Sequence, residues 1–404
     1  MASAARPPSV LFYCHDTYGI GHLKRAFKLG RFLSLRWPGM TQLIVTSSAS
    51  VLTDAVGDGI DYVKLPSVRR LPSSTGELLY VPRVLPISSD DQTAMRRDML
   101  LGIVHRFHPD LLVVDHTPAG LAGELTPSLL HLRASSLDTR FVAGFRDIVG
   151  DPPRVRAAWA RDGVHELLDD LYDRILVYGE AEVFDLVAEI GLSAGAAAKV
   201  RYTGYLGRVA EDAAPSETRE QLGLPSGPLV LATAGGGADG ASVLGVMLEA
   251  LGRWPERARF HCLLVGGPLM SADDRRRLRA MLPGGGPVRF IDHVDDLDPY
   301  VAAADVVVSR GGYNTVSEIL SFGRPAVIVP REMINGVVDA EQLLRAGMLE
   351  RRRLAHVIRE RDLTASRLLE AVNALLEAPR PASKPLRLDG LSVVAAEIQT
   401  LLAR

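Results

Sequence analysis

The sequence predicts an α/β protein with two domains, each built on a parallel β-sheet. Short apolar, β-branched runs alternate with longer helix-like segments, which is typical of parallel strands joined by crossover helices. One such series extends from residue 10 to residue 203, and a second extends from 229 to 329. A polar, proline-containing stretch at 210–227 separates them and predicts an interdomain linker.

Composition and charge favour a large soluble enzyme. The 404 residues carry a net charge of -2, which gives no reason to expect a nucleic-acid partner. The sequence contains no run of about 20 apolar residues and no apolar core of a secretory signal. We therefore expect a cytoplasmic protein without a transmembrane segment, and we expect Cys14 and Cys262 to be buried free thiols.

A glycine-containing motif in the second half is the most informative feature of the chain. It follows a strand-like run at 304–309 and reads Arg310-Gly311-Gly312-Tyr313-Asn314-Thr315-Val316-Ser317-Glu318. A helix that opens after the two glycines would direct free N–H groups at an anion, with Asn314 and Thr315 as further donors. Glu318 would share their helix face and accept hydrogen bonds from ribose hydroxyls. The motif predicts a nucleotide diphosphate site.

This motif resembles the donor-binding signature of the GT-B glycosyltransferases. These include the plant-type UDP-glycosyltransferases and the N-acetylglucosaminyltransferase that forms lipid II, through its C-terminal donor domain. The resemblance continues through 323–330 and 339–342. It implies that Glu341 and Gln342 hold hydroxyls of the donor sugar, and that Arg310, in the place of a plant-type His, neutralises diphosphate.

The same resemblance implies a GT-B fold, in which two Rossmann-like domains face each other across a cleft. Residues 1–208 are then the acceptor-binding domain and residues 209–385 the nucleotide-sugar domain. A C-terminal helix within 386–404 is expected to pack back on the first domain, as such tails often do in GT-B enzymes.

A second glycine-rich loop, at 233–240, follows the first strand of the second half. Gly235, Gly236 and Gly237 would let a diphosphate approach the backbone. The loop lacks the Lys-Ser/Thr ending of a P-loop, which argues against an ATPase or kinase. Similar loops lie against the donor in the lipid II enzyme. The nucleobase of the donor is expected near Val294.

The loop after the first strand holds the candidate acceptor side. His15, Asp16, Gly21 and His22 lie in it, but a third glycine and the acidic residue of a dinucleotide fingerprint are missing. The remaining Gly-x-Gly-His resembles the N-terminal Gly-His turn of GT-B enzymes. That resemblance implies that His22 is the general base, and His15 is the alternative.

Asp115 ends the apolar run 111–114, at the carboxyl end of a predicted strand. In plant-type enzymes an Asp in the comparable region orients the catalytic His, so we assign that role to Asp115. An N-cap for the following helix is the alternative role. His116 is a further candidate contact to the acceptor or the diphosphate.

The implied reaction is a single displacement that inverts the anomeric carbon. The expected donor is a nucleoside-diphosphate sugar. A UDP-sugar is favoured, and a dTDP-sugar is the alternative. The acceptor is a hydroxyl of a small molecule, a glycan or a lipid-linked sugar. The helix N-terminus stabilises the leaving group, so neither a metal nor a separate cofactor is predicted.

Three alternatives share the predicted fold. A nucleotide-sugar 2-epimerase or a hydrolase would use the same donor site without an acceptor, but an epimerase needs further carboxylates around the sugar, beyond Glu341. A non-catalytic partner of another transferase would need no general base. The presence of both a candidate base and candidate donor residues argues against this last alternative.

Overall fold

The computed structural model describes residues 7–15, 19–48, 59–72, 78–135, 138–207, 215–237, 239–284, 287–334, 336–378 and 386–403. Asp16, predicted on the acceptor side, lies outside these ranges. The chain divides into two compact units: Met1–Tyr205 with Asp389–Arg404, and Leu206–Leu388. Within the described ranges, none of the helices is long and apolar enough to cross a membrane.

The first unit is built on a parallel sheet. Its strands are β1 (Ser9–Cys14), β2 (Thr41–Thr46), β3 (Ile60–Lys64), β4 (Val68–Pro72), β5 (Leu78–Pro82), β6 (Leu111–Asp115), β7 (Arg140–Arg146), β8 (Arg174–Tyr178) and β9 (Val200–Tyr202). The sheet order is β3-β2-β1-β6-β7-β8-β9, and all its neighbours run parallel. Every residue of β1 and β6 is buried, as expected for strands covered on both faces.

Helices connect these strands. They are α1 (Gly21–Arg36), α2 (Ser89–Phe107), α3 (Thr126–Ala134), α4 (Pro152–Arg161), α5 (Val164–Asp170), α6 (Leu186–Ile190) and α7 (Ala194–Lys199), with a 3-10 turn at Leu121–Gly123. Tyr13, Phe141 and Phe145 belong to the apolar core of this unit. The core thus joins the strands on both sides of β6.

The second unit repeats the plan with its own sheet. Its strands are β10 (Leu229–Thr233), β11 (His261–Val265), β12 (Val288–Ile291), β13 (Val306–Ser309), β14 (Ala326–Ile328), β15 (Met333–Ile334), β16 (Val337–Val338) and β17 (His356–Val357). The parallel sheet has the order β12-β11-β10-β13-β14-β17, and β15 pairs with β16 in a small hairpin. Two parallel-sheet units agree with the predicted fold class.

The helices of the second unit pack around this sheet. They are α8 (Pro215–Gln221), α9 (Ala241–Arg253), α10 (Ala272–Ala280), α11 (Asp298–Ala303), α12 (Tyr313–Ser321), α13 (Ala340–Arg351) and α14 (Ala365–Glu377), with 3-10 turns at Pro255–Arg257 and Glu360–Asp362. The last helix, α15 (Gly390–Leu402), belongs to the first unit. There the Gly390 amide donates to the Tyr205 carbonyl at 3.1 Å, and Glu397 pairs with Arg174 at 3.0 Å.

Each sheet has a point where its strand order reverses. In the first unit this point lies between β1 and β6, and in the second it lies between β10 and β13. Ligands of open α/β sheets bind outside the carboxyl ends of the strands at such a point. The loops that follow these four strands are therefore the places to search for a site in each unit.

One region differs from the sequence-based expectation. We expect an irregular acceptor loop from 66 to 91, because of its four prolines, but the structure forms an antiparallel hairpin of β4 and β5 and starts α2 at Ser89. The prolines are compatible with the hairpin because Pro72 and Pro82 end its strands. The prediction of an irregular segment was therefore wrong here.

Candidate functional site

The loops after β1 and β6 bring His22 and Asp115 together. His22 lies in the first turn of α1, and Asp115 is the last residue of the neighbouring strand β6. Their side chains meet with 2.5 Å between His22 Nδ1 and Asp115 Oδ2. Because a carboxylate only accepts hydrogen bonds, we assign the proton to Nδ1, and Nε2 then carries the ring's lone pair. This is the arrangement that a general base requires.

Arg25 completes the cluster and does not figure among the sequence-based candidates. It lies three residues after His22, on the same face of α1. Its Nε donates to Asp115 Oδ1 at 2.8 Å, and its Nη2 donates to Oδ2 at 2.6 Å. The sequence held one indication of this role: an Arg lies one helical turn after the candidate base His22.

The surroundings of Asp115 keep it ionised. Burial by itself raises the pKa of this carboxyl, but the charges of Arg25 and His22, together with their hydrogen bonds, outweigh it. The pKa of Asp115 is therefore held well below its usual range. A buried carboxylate in this state can orient an imidazole and stabilise its protonated form.

The other two histidines of the predicted acceptor side surround His22. The His15 ring stacks on the His22 ring at a centroid distance of 5.8 Å, and the His116 ring lies at 5.2 Å. His15 is buried, whereas His22 is half-buried. The better exposure of His22 and its carboxylate partner favour it over His15 as the base. Gly21 begins the helix that carries His22.

His116 has an unusual conformation and charge state. Its backbone has φ of 71°, in the left-handed region that costs a non-glycine residue free energy. Burial, the charge of Arg146 and the nearby His22 all lower the pKa of His116 well below its ordinary value. A neutral His116 therefore lies beside the candidate base at neutral pH.

The predicted donor motif lies at the second switch point. β13 ends at Ser309, and Gly312 precedes the first turn of α12 in an extended conformation, with φ of -70° and ψ of 142°. Asn314, Thr315 and Glu318 are half-buried on this helix. The N-terminal N–H groups and dipole of α12 can thus stabilise an anion, as the motif predicts.

The glycine-rich loop lies beside this helix. A Cβ on Gly235 would lie 3.6 Å from Thr315 Oγ1, so the backbone of the loop closely approaches the first turn of α12. Gly235 and Gly237 have φ of 59° and 92°. Val294 lies half-buried in the loop after the edge strand β12. Together these loops are a candidate nucleotide site within the second unit.

Gly237→Ala is expected to lower the free energy of unfolding by about 1 to 3 kcal/mol, because the left-handed backbone disfavours a side chain. The new Cβ would also lie 2.7 Å from the Gly267 Cα. Urea unfolding measures the loss. The matched control is Gly252→Ala on α9, where the added Cβ meets no heavy atom of the described chain within 4 Å. Equal stability of the two variants would contradict the assigned loop geometry.

Arg310, predicted as a fixed cation for diphosphate, has partners within the protein. It is 6% exposed, and its Nη2 donates to Glu360 Oε1 at 2.7 Å and to Ser242 Oγ at 2.8 Å. Glu360 therefore neutralises the guanidinium within the protein. The N-terminus of α12 also supplies positive potential at the motif, and Arg345 Nη1 donates to the Gly311 carbonyl at 2.8 Å.

Glu341 and Gln342 also have partners within the protein. Gln342 Oε1 accepts hydrogen bonds from the backbone N–H groups of Gly311 at 3.2 Å and Arg331 at 2.9 Å. Glu341 Oε1 pairs with Arg345 Nη2 at 2.9 Å. Gln342 thus joins the donor motif to the loop after β14, which is a positioning role, and its contact with the donor sugar stays a prediction.

Comparison with known proteins agrees with this architecture. Residues 232–390 match the glycosyltransferase family 28 C-terminal domain. The spinosyn forosaminyltransferase structure superposes with a TM-score of 0.61 at 14% identity, over 98% of this chain and 100% of that one. This chain has the GT-B fold. The predicted fold and the predicted resemblance are thereby confirmed.

The GT-B fold occurs in similar proteins with different activities. The UDP-GlcNAc 2-epimerase from Neisseria meningitidis, bound to UDP-GlcNAc, gives a TM-score of 0.59 at 14% identity, over 98% of this chain and 99% of that one. The fold therefore does not distinguish a glycosyltransferase from an epimerase, and the residues of the site must decide between the two activities.

A curated relative from Methylobacterium radiotolerans is 36% identical over 148 residues, which are 36% of this chain and 38% of the relative. It is named UDP-N-acetylglucosamine–N-acetylmuramyl-(pentapeptide) pyrophosphoryl-undecaprenol N-acetylglucosamine transferase. This chain is matched to such curated relatives over 25% to 58% of their own length.

Proposed function

We propose that this protein is an inverting glycosyltransferase that needs no metal. It transfers a sugar from a nucleoside-diphosphate sugar to a hydroxyl of a small-molecule, glycan or lipid-linked acceptor. A UDP-sugar is the favoured donor, and a dTDP-sugar is the alternative. The hydrogen-bonded pair of His22 and Asp115, 2.5 Å apart after neighbouring strands, is the observation that carries this proposal. The UDP-N-acetylglucosamine in the name of the Methylobacterium relative supports the choice of donor.

In the proposed reaction, His22 Nε2 removes the proton from the acceptor hydroxyl. Asp115 holds the ring by its Nδ1–H and stabilises the imidazolium that forms. The acceptor oxygen forms a bond to the anomeric carbon as the bond to the diphosphate breaks, so configuration inverts. The proton remains on His22 until product release, and the nucleoside diphosphate departs with the electron pair.

We assign binding of the nucleotide-sugar donor to the second unit. The leaving diphosphate gains negative charge, and the N-terminus of α12 with the glycine-rich loop supplies N–H groups and positive potential. Glu318, one turn beyond Asn314, accepts hydrogen bonds from the ribose hydroxyls. A helix terminus in this role removes the need for a divalent cation.

The donor site is tested by thermal unfolding with a panel of UDP-, dTDP- and GDP-sugars. A ligand that binds only the folded state stabilises it by about 2.7 kcal/mol at about 100 times its Kd. We expect one nucleotide class to raise the Tm of the wild type and to lose this effect with Glu318→Ala. Glu249→Ala, an exposed residue of α9, is the matched control and should keep the shift.

The outcomes separate the possible errors. An equal shift in wild type and Glu318→Ala would exclude the ribose contact but retain a nucleotide site. The absence of any shift across the panel would contradict the donor assignment. Conversion of the bound donor to its C2 epimer without an acceptor would contradict glycosyl transfer.

A further inference from the structure

We propose that Arg25 is a positioning residue that fixes the Asp115 carboxylate and keeps it ionised for its work on His22. This inference rests on the proposed function, in which His22 is the base. Arg25 holds the carboxylate partner of the base, its Nη2 also lies 2.9 Å from His22 Nδ1, and it belongs to none of the glycine, donor or acceptor motifs. Its role follows from its contacts, its burial and its charge.

Arg25 binds both oxygens of Asp115. Nε holds Oδ1 at 2.8 Å, and Nη2 holds Oδ2 at 2.6 Å, so the plane of the carboxylate is set by a two-point contact. The same Oδ2 accepts the Nδ1–H of His22 at 2.5 Å. Since one oxygen serves both partners, rotation of the carboxylate away from Arg25 would also break the hydrogen bond to His22.

The guanidinium is itself held in place. Arg25 is 2% exposed, and its Cζ lies 6.0 Å from the centre of the Tyr178 ring, at the end of β8. The ring has room because residue 144 of β7 is a glycine, where a Cβ would overlap the Tyr178 hydroxyl. The positions of Arg25 and Asp115 therefore depend on side chains from β6, β7 and β8 as well as α1.

The charge of Arg25 is as important as its shape. Asp115 is 5% exposed, and burial alone would favour its protonated form. Arg25 supplies the compensating cation, because the nearby His22 is uncharged when it acts as a base. Within the described ranges, the Tyr178 ring lies against Arg25, and His15, His116 and Arg146 are three further ionisable residues around this cluster. All three are basic, and none of them replaces the bidentate contact.

A ligand-independent measurement tests this role. Histidines of the full chain are labelled with ¹⁵N, and the His22 signals are assigned by their loss in His22→Gln. In wild type we expect a low-field Nδ1 proton that persists as the pH is lowered. In Arg25→Met the Asp115 carboxyl should take up a proton at a pH higher by about 1 to 3 units, because the variant removes the cation that lowers the pKa of this carboxyl.

Two further variants keep the test decisive. Arg25→Lys retains the positive charge but loses the two-point contact with Asp115. We therefore expect a midpoint of Asp115 titration close to that of wild type and an altered His22 Nδ1 proton signal. Arg31→Met, an exposed residue of α1, is the matched control and should leave both signals unchanged. If Arg25→Met does not fold, as judged by its Tm, the Lys variant alone decides.

The inference is overturned if the folded Arg25 variants retain both the wild-type Nδ1 signal and the wild-type midpoint. Failure of the proposed function is a different result. It would appear as absent nucleotide-sugar binding or as full activity of a His22 variant, whatever the NMR signals show. The two outcomes are therefore distinguishable.

Discussion

His22→Ala is expected to lower kcat by about 10²- to 10⁴-fold, because a positioned general base contributes roughly that much to a reaction rate. Donor binding should remain at the wild-type level, since the candidate nucleotide site belongs to the second unit. Steady-state kinetics with the stabilising donor measures the rate, and thermal unfolding with the same donor measures binding. A fall in kcat without loss of binding is the signature of a base.

Two histidine variants control this experiment. His105→Ala removes an exposed imidazole from α2 of the same unit and should leave kcat unchanged. His15→Ala removes the alternative base, whose ring stacks on His22 at 5.8 Å. We expect a smaller loss with His15→Ala than with His22→Ala. The reverse order would transfer the base role to His15.

Asp115→Ala is expected to lower the free energy of unfolding by about 3 to 5 kcal/mol, because it leaves a buried cation without its partner. Arg25 is 2% exposed and makes two hydrogen bonds to this carboxylate. Chemical denaturation of the purified variant measures the loss. Asp138→Ala is the control, because its side chain is 71% exposed in a surface pair with Arg140. Such surface pairs contribute only about 0 to 1 kcal/mol.

The stabilisation by Asp115 has a defined pH dependence. Its pKa is lowered in the folded state, so the contribution is complete above the unfolded pKa of about 3.9 and is lost as pH falls through the folded value. The stability difference between wild type and Asp115→Asn should therefore be constant near neutral pH and should shrink below about pH 4. A difference that instead grows in acid would contradict the ionised state of Asp115.

The strands and the loops at both switch points are predictable from the sequence because their signals are local. Apolar or β-branched runs mark β1, β6, β10 and β13, and glycines or polar residues follow within two positions. The topology then places these loops at the carboxyl ends of neighbouring strands. The meeting of His22 and Asp115 thus required only the resemblance and the strand order.

The contacts made by Arg25 and Arg310 could not be predicted from local sequence patterns. Arg25 reaches a carboxylate 90 positions away, and a Lys-Arg pair on a helix most often faces solvent. Arg310 pairs with Glu360, 50 positions further along the chain. No local pattern specifies a partner at that separation. The role of Arg310 as a cation for diphosphate stays a prediction, and the sequence alone did not indicate its Glu360 partner.

The most direct test of the central claim is product analysis with the nucleotide sugar that stabilises the protein. Wild type and His22→Ala are incubated with this donor and a panel of hydroxyl-bearing acceptors, and the products are examined by mass spectrometry and NMR. We expect wild type to form an acceptor glycoside with inverted anomeric configuration in the presence of a metal chelator, and His22→Ala to form almost none. Retained configuration, dependence on a divalent metal or an equally active His22→Ala would contradict the account.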